Sequence, residues 1–242
     1  MPPVDLLAFG PHPDDIEIGM GATIAHHVAR GLAVGLCDLT RGEMGSNGTP
    51  EEREREAESA RVVLGADWRV NLGLPDRHLR DVPEQVRPIV ELIRASRPSV
   101  IALPHWADRH PDHTAACTLV TAAAFSSGLR RYEAEGEAWR ADWLVHYFIN
   151  TPGEPSFVVD VSEFYEIKQR ALACHASQFV PRGEGAAPTR LTSPLFAQLV
   201  ESRDAQLGAL AGVRWAEGFV VCEPIIRRHL LKRRHESREP RA

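Results

Sequence analysis

Four short apolar runs, each followed by a stretch with helical spacing, fill the first half of the chain and leave few architectures open. VDLLAF (4–9), LAVGLCDLT (32–40), WRVNL (68–72) and SVIALP (99–104) have the length and composition of buried strands. Between them lie a helical GATIAHHVAR (21–30), which stops at Gly31, a helix from Thr49 to Leu64 ended by Gly65, and a helix from Pro83 to Arg97. Thr49-Pro50-Glu51-Glu52 is a capping box with proline at the first helical position. A fourth helix is predicted from Pro111 to Leu129. This alternation closes most simply as a parallel sheet with helices on both faces, since parallel neighbours need a crossover. The second half is mixed. WLVHYFIN (143–150), SFVVDVS (156–162) and 215–222 read as strands, and 163–176 and 194–210 as helices, with a loop at 181–188. The predicted class is α/β: a Rossmann-like, mostly parallel sheet with helices on both faces and a mixed C-terminal part. One domain is expected over 1–226, followed by a basic tail at 227–242.

Composition narrows the function classes. A chain of 242 residues with 43% hydrophobic and 25% charged residues can bury a core without staples. It contains no run near the ~18 apolar residues of a membrane span. MPPVDLLAFG lacks the basic region of a signal peptide and reads as a strand, so a cytoplasmic protein is expected. The net charge is −5, and the last sixteen residues carry seven Arg or Lys against two Glu, so the first 226 residues stand at −10. A body of that sign has no nucleic-acid footprint. The tail reads as a solvated C-terminus. Four widely spaced cysteines, Cys37, Cys117, Cys174 and Cys222, form no metal or disulfide pattern and are expected to be buried free thiols. Only Lys168 and Lys232 are lysine, which we assign to genome composition.

In sheets of this kind ligands bind beyond the carboxyl ends of the strands. Three loops leave those ends, at 10–19, 41–49 and 105–112, and the reactive residue types fall in them. The first holds His12-Pro13-Asp14-Asp15. Two adjacent carboxylates beside an apolar sheet repel each other and need a cation, and a divalent metal is the natural one. His12 and Asp15, three apart, face the same way in a turn, which leaves Asp14 free for acid–base work. The third loop holds Asp108-Arg109-His110-Pro111-Asp112-His113. Pro111 suits the first turn of the next helix, with His110 at its cap and His113 one turn on. His113 would complete a two-histidine, one-carboxylate triad with open positions, the pattern of a catalytic metal.

The two motifs together resemble the LmbE/PIG-L-type zinc deacetylases, which act on N-acetylglucosaminyl compounds. Longer strings, LTRGEMGSNGTPEER (39–53), NLGLPDR (71–77), EPSFVVDVS (154–162) and Ser177-Gln178-Phe179, are similar to the bacillithiol-pathway subgroup. The chain differs from that pattern in Pro11 before the first histidine and in His105, where an aromatic is expected. The resemblance implies Zn2+, with Fe2+ also suited to the ligands, held by His12, Asp15 and His113. It implies Asp14 as general base and His110, oriented by Asp112, as a protonated acid and oxyanion stabiliser. Zinc lowers the pKa of bound water to about 7, which Asp14 could then deprotonate. It implies a small-molecule sugar conjugate as partner, N-acetylglucosaminyl malate first, and a homo-oligomer of hexamer size. Ser46, Asn47, Arg53 and Arg109 become candidates for substrate contact, with Arg53 leading for the malyl carboxylates and Arg41, Arg77 and Arg182 behind. The other substrates open to this reading are a chito-oligosaccharide or a mycothiol-type inositol glycoside.

Two readings from other classes stay open on the residues. H-x-D at 12–14 followed by His113 mimics the spacing of non-haem iron oxygenases, which are double β-sheet folds. A non-catalytic metal-binding protein would need the ligands but neither Asp14 nor His110.

Overall fold

In the computed structural model, which describes residues 1–180 and 185–226, the strands join in one seven-stranded sheet. They are β1 (Leu6–Gly10), β2 (Val34–Thr40), β3 (Trp68–Leu74), β4 (Val100–Pro104), β5 (Trp143–Tyr147), β6 (Phe157–Asp160) and β7 (Ala216–Val220). Their order is β3-β2-β1-β4-β5-β7-β6. β1 to β5 run parallel, whereas β7 is antiparallel to β5 and β6 to β7. The helices are α1 (Asp15–Ala29), α2 (Pro50–Leu64), α3 (Pro83–Ser96), α4 (Pro111–Ser127), α5 (Tyr165–Cys174), α6 (Ala176–Phe179) and α7 (Pro194–Ala211). The mostly parallel α/β class with a mixed C-terminal part is therefore the fold of this chain. The double β-sheet that the iron-oxygenase reading requires is not, and that reading is set aside.

Alternation along β1 shows why its sequence is apolar throughout. Leu7 and Phe9 pack with Leu39, Ile101 and Leu103 and with Ile89 of α3 and Val120 of α4. Leu6 and Ala8 pack on the opposite face with Leu36 and Ala102, against Ile24 of α1, Leu64 of α2, Ala171 of α5 and Val200 of α7. A strand covered on both faces has no solvent side to make polar. The α2 cap forms as its sequence dictates: Thr49 accepts from Glu52 N, Pro50 occupies the first turn, and Gly65 closes the helix at φ 79°.

Three expectations are corrected. The first helix begins at Asp15 rather than Gly21. Gly19 and Gly21 depress helix propensity and hide its first turns. Packing demands at least the first of them. A Cβ on Gly19 would lie 2.1 Å from the Tyr147 ring, whose hydroxyl donates to Phe9 O at 2.7 Å and cannot retreat. Gly19→Ala is therefore expected to cost about 1–3 kcal/mol by overpacking. An unchanged urea midpoint would contradict this. Second, the thiols are free, but only Cys37 and Cys117 are buried, while Cys174 is half-buried and Cys222 exposed. Third, β5 ends at Tyr147, and of the residues beyond it Asn150 reaches the cavity. The tail at 227–242 lies outside the described residues, and no described helix is long and apolar enough to cross a membrane.

β1 lies between β2 and β4, so the chain crosses to β2 on one side of it and to β4 on the other. That reversal opens a crevice at the carboxyl ends of β1 and β4. The turn 11–14 leaves one of those ends and the 105–110 loop the other.

Candidate active site

A cavity of about 400 Å3 opens at that crevice, lined by His12, Asp14, Asp15, His110 and His113 among others. Its floor is built by short-range geometry. The Asp15 carboxylate returns to cap its own turn, accepting from His12 N at 3.0 Å, and the same oxygen lies 3.0 Å from His12 Nδ1. His110 caps α4, its Nδ1 accepting from Asp112 N at 3.2 Å, with Pro111 in the first turn. His113 follows one turn later and brings Nε2 to 3.3 Å from that Asp15 oxygen. One carboxylate oxygen thus sits between two imidazole nitrogens from separate loops.

The remaining ring nitrogens are also held. His12 Nε2 faces Asp76 Oδ1 at 3.1 Å and Asp112 Oδ2 at 3.3 Å. His113 Nδ1 faces Asp108 Oδ1 at 3.1 Å. These carboxylates are themselves fixed. Asp76 accepts from Met44 N, Asp112 from Arg77 N, and Asp108 from the backbones of His110, Asn150 and Thr151. An imidazole with one nitrogen on an anchored carboxylate and the other directed at a shared oxygen is the arrangement that metal-binding histidines adopt.

The charges agree with a cation. Burial works against ionising every group here, yet carboxylates outnumber arginines, so protons fill the gap. Burial would lower His12 and His113. Asp112, Asp15 and Asp76 nonetheless raise His12 well above its ordinary value, and Asp15 and Asp108 raise His113 to about 9. Burial would raise Asp15, but His113 and His12 hold it well below the usual range. A divalent ion would replace the two imidazole protons and leave neutral nitrogens to ligate it. The donors fit such an ion. Two trios of donor atoms lie within 4.8 Å of one another, His12 with His110 and His113, and His12 with Asp76 and Asp112, while Asp15 joins His12 and His113 through the pairwise contacts of its shared oxygen. His12 is common to every set.

Asp14 behaves differently from its neighbour. Its φ of 120° is in the region that non-glycine residues avoid, a strain of order 1–3 kcal/mol. Arg77, on the same cavity, is another of the three non-glycine residues with positive φ among the described residues. Burial pushes the Asp14 carboxyl up to about 6, against the lowering pull of Arg53. Burial, and then the neighbouring His113 and His12, hold His110 below its ordinary value, and its Nδ1 is an acceptor. With Nδ1 accepting from Asp112 N, a proton on the His110 ring sits on Nε2, and the downward shift works against the imidazolium expected from the sequence. The Asp112 carboxylate also differs from expectation. It is spent on His12 and Arg77, and Asp112 holds His110 through its backbone N–H instead.

The four residues assigned to substrate contact divide. Ser46 and Arg109 line the cavity, and both are exposed. Arg53 also reaches it but is only 4% exposed. Its guanidinium is spent on Pro13 O at 2.7 Å, Gly42 O at 3.2 Å and Asp14 at 3.4 Å. It packs so closely on Gly42, φ 66°, that a Cβ there would lie 1.9 Å from Nη1. A long cation on a capped helix reads in sequence as a ligand for substrate, whereas the fold turns it inward onto Asp14. Asn47 is not on the cavity wall. Its amide pairs with the backbone of Ala187. Of the lesser candidates, Arg77 lines the cavity, Arg41 pairs with Glu54 at 3.6 Å, and Arg182 lies outside the described residues.

Asp76 and Asn150 were missed as site residues, as were the wall residues Thr189, Arg190, Leu191 and Phe196. Asp76 carried a readable signal, since its loop leaves the carboxyl end of a strand. The others come from connections whose approach to the site depends on the antiparallel end of the sheet.

A parallel α/β sheet with a histidine–carboxylate cavity at its switch point can host several chemistries, and the comparisons with known proteins narrow them. The family model described as PIG-L, GlcNAc-PI de-N-acetylase, matches residues 7–124. Diacetylchitobiose deacetylase of Thermococcus kodakarensis is 31% identical over 238 residues, covering 88% of this chain and 81% of that one. A 1D-myo-inositol 2-acetamido-2-deoxy-alpha-D-glucopyranoside deacetylase of Mycobacterium leprae is 28% identical over 268 residues, covering 80% and 87%. The crystal structure of the conserved protein TT1542 from Thermus thermophilus superimposes with a TM-score of 0.86 at 43% identity, covering 95% of this chain and 99% of that one. The chain belongs to the PIG-L/LmbE family of deacetylases.

Proposed function

We propose that the chain is a metal-dependent N-deacetylase of an N-acetylglucosamine conjugate, in which His12, Asp15 and His113 hold a divalent ion. The observation that carries this reading is the Asp15 oxygen shared by His12 Nδ1 and His113 Nε2, with each ring anchored at its other nitrogen by a carboxylate. That set is preferred to His12–Asp76–Asp112 because it draws on both anchored imidazoles rather than on one. Nitrogen and carboxylate donors of this kind suit Zn2+ first and Fe2+ second. Such an ion, when bound, supplies Lewis-acid polarisation and acidifies water. Asp14, ionised at neutral pH, takes the proton of the attacking water. His110 Nε2–H donates to the oxygen of the attacked acetamide as it gains charge, and the proton that Asp14 has taken from the water passes to the departing amine as the C–N bond breaks. Arg53 keeps Asp14 ionised and aimed. A non-catalytic metal site would not need a strained, arginine-held carboxylate beside it.

For the substrate, the relatives named above act on diacetylchitobiose and on an inositol glycoside. The sequence strings favour N-acetylglucosaminyl malate. The exposed Arg77, Arg109 and Arg190 on the cavity wall support a substrate with carboxylates, since guanidinium binds carboxylate bidentately. Arg109 replaces Arg53 as the leading reader. A hydrogen bond to a charged group is worth about 1.5–3 kcal/mol, so kcat/KM for the malyl conjugate should exceed that for free N-acetylglucosamine by roughly 10–150-fold. Arg109→Ala should erase much of that preference. Equal kcat/KM for the two would remove the malate assignment and return the choice to chitobiose or the inositol glycoside. The reading includes a cytoplasmic homo-oligomer, which sedimentation checks directly.

A further inference from the structure

Two loops contribute to the cavity lining. Met44, Gly45 and Ser46 form one wall, and Thr189, Arg190 and Leu191 another. The second wall is poorly tied. Residues 189–192 close a turn on themselves, with Thr189 N donating to Thr192 Oγ1 at 2.9 Å and that hydroxyl donating back to Thr189 O. Among the described residues, the segment 185–188 makes no main-chain hydrogen bond to any other element. Among the described residues, its polar tie to another element is a single side chain. Asn47 Nδ2 donates to Ala187 O at 2.9 Å and Asn47 Oδ1 accepts from Ala187 N at 2.8 Å, so one amide pairs with the backbone as a neighbouring strand would.

The other end of this bracket is rigid. Gln178 Nε2 donates to Asn47 O at 2.7 Å and to Ser177 Oγ at 2.9 Å. Ser177 in turn donates to Glu56 of α2 from both its backbone N and its hydroxyl, each at 2.7 Å. Asn47 is thus fixed through α6 to α2 on one side and grips the 185–191 wall on the other. The geometry points to Asn47 as a positioning residue that sets the distance between the two cavity walls, and thereby selects for the part of the substrate remote from the scissile acetamide. It does so without lining the cavity. The inference rests on the deacetylase reading for its kinetic consequence and on hydrogen bonds alone for its structural one. A wall released from Asn47 must be ordered when a large ligand arrives, which weakens binding of ligands that touch it and leaves the reacting centre unaltered.

The test uses the full-length chain and the variants Asn47→Ala and Asn47→Asp. Aspartate keeps the acceptor for Ala187 N but loses the donor to Ala187 O. Two neutral hydrogen bonds predict a KM for the malyl conjugate raised roughly 10- to 30-fold in Asn47→Ala, with an intermediate rise in Asn47→Asp. KM for free N-acetylglucosamine and kcat for both substrates should move by less than about threefold, as binding lost equally in ground and transition states predicts. Independently of any activity, amide exchange over 185–192 should accelerate in Asn47→Ala while β1, β2 and β4 keep their protection. Unchanged exchange at 185–192 would overturn the inference, as would a fall in kcat on both substrates without a change in KM. Absence of turnover in the wild type would sink the deacetylase reading, while exchange would still decide whether Asn47 holds the wall.

Discussion

Asp14→Asn protein is expected to keep its metal and lose about 10²–10⁴-fold in kcat, the usual contribution of a positioned base. Asparagine is the informative replacement. It is isosteric, it tolerates the positive φ at this position better than alanine does, and its side-chain oxygen can still accept from Arg53. Only the basic carboxylate is removed. His113→Ala makes the contrast. It takes one nitrogen from the shared Asp15 oxygen and leaves Asp108 facing a void, so both metal and activity should be lost. Metal content by elemental analysis, measured beside kcat, separates the two roles. An empty site in Asp14→Asn would make Asp14 a ligand, and full occupancy in His113→Ala would remove His113 from the ligand set.

Lys168→Ala should be the most destabilising single substitution considered, by about 3–5 kcal/mol, the cost of stranding buried charge. Lys168 is fully buried, and its Nζ lies 2.7 Å from Asp204 Oδ2 and 2.6 Å from Glu217 Oε1. Glu217 is held by the backbone N–H groups of Ala22 and Thr23 in α1, and Asp204 by Arg203 and the Tyr165 hydroxyl. The cluster ties α1, α5, α7 and β7 together beneath the sheet face opposite α3 and α4. Removing the lysine leaves two carboxylates in the core, with one arginine bonded to Asp204 alone of the two. Against a typical total of about 5–15 kcal/mol, that loss would leave a marginal fold. Burial pushes the Asp204 carboxyl up, but Lys168 and Arg203 hold it below its ordinary value. A carboxylate depressed in this way contributes stability that is present above its unfolded pKa and fades as pH falls through the folded one. The penalty of Lys168→Ala should accordingly shrink in acid, and Lys168→Ala/Glu217→Gln should recover part of it at neutral pH. A urea-unfolding difference under about 1 kcal/mol would show that the cluster relaxes onto Arg203 or admits water.

The sequence by itself determined the order of strands and helices through the first half, because period, capping and glycine punctuation are local properties. It also determined which loops bear the chemistry, since His12 to Asp15 and His110 to His113 are fixed by turn and cap geometry within four residues. Tertiary structure alone decided the partners. His12 meets Asp76 and Asp112, 64 and 100 positions away, only because β1 lies between β2 and β4 and all three loops emerge at one edge. The same packing turned Arg53 from the solvent onto Asp14, moved Asn47 out of the cavity onto the backbone of Ala187, and enclosed Lys168, one of only two lysines in the chain, among carboxylates. A long polar side chain reads identically in sequence whether it faces water or a buried opposite charge. Its position follows from which elements pack over it, and that is a property of the sheet order rather than of its neighbours in the chain.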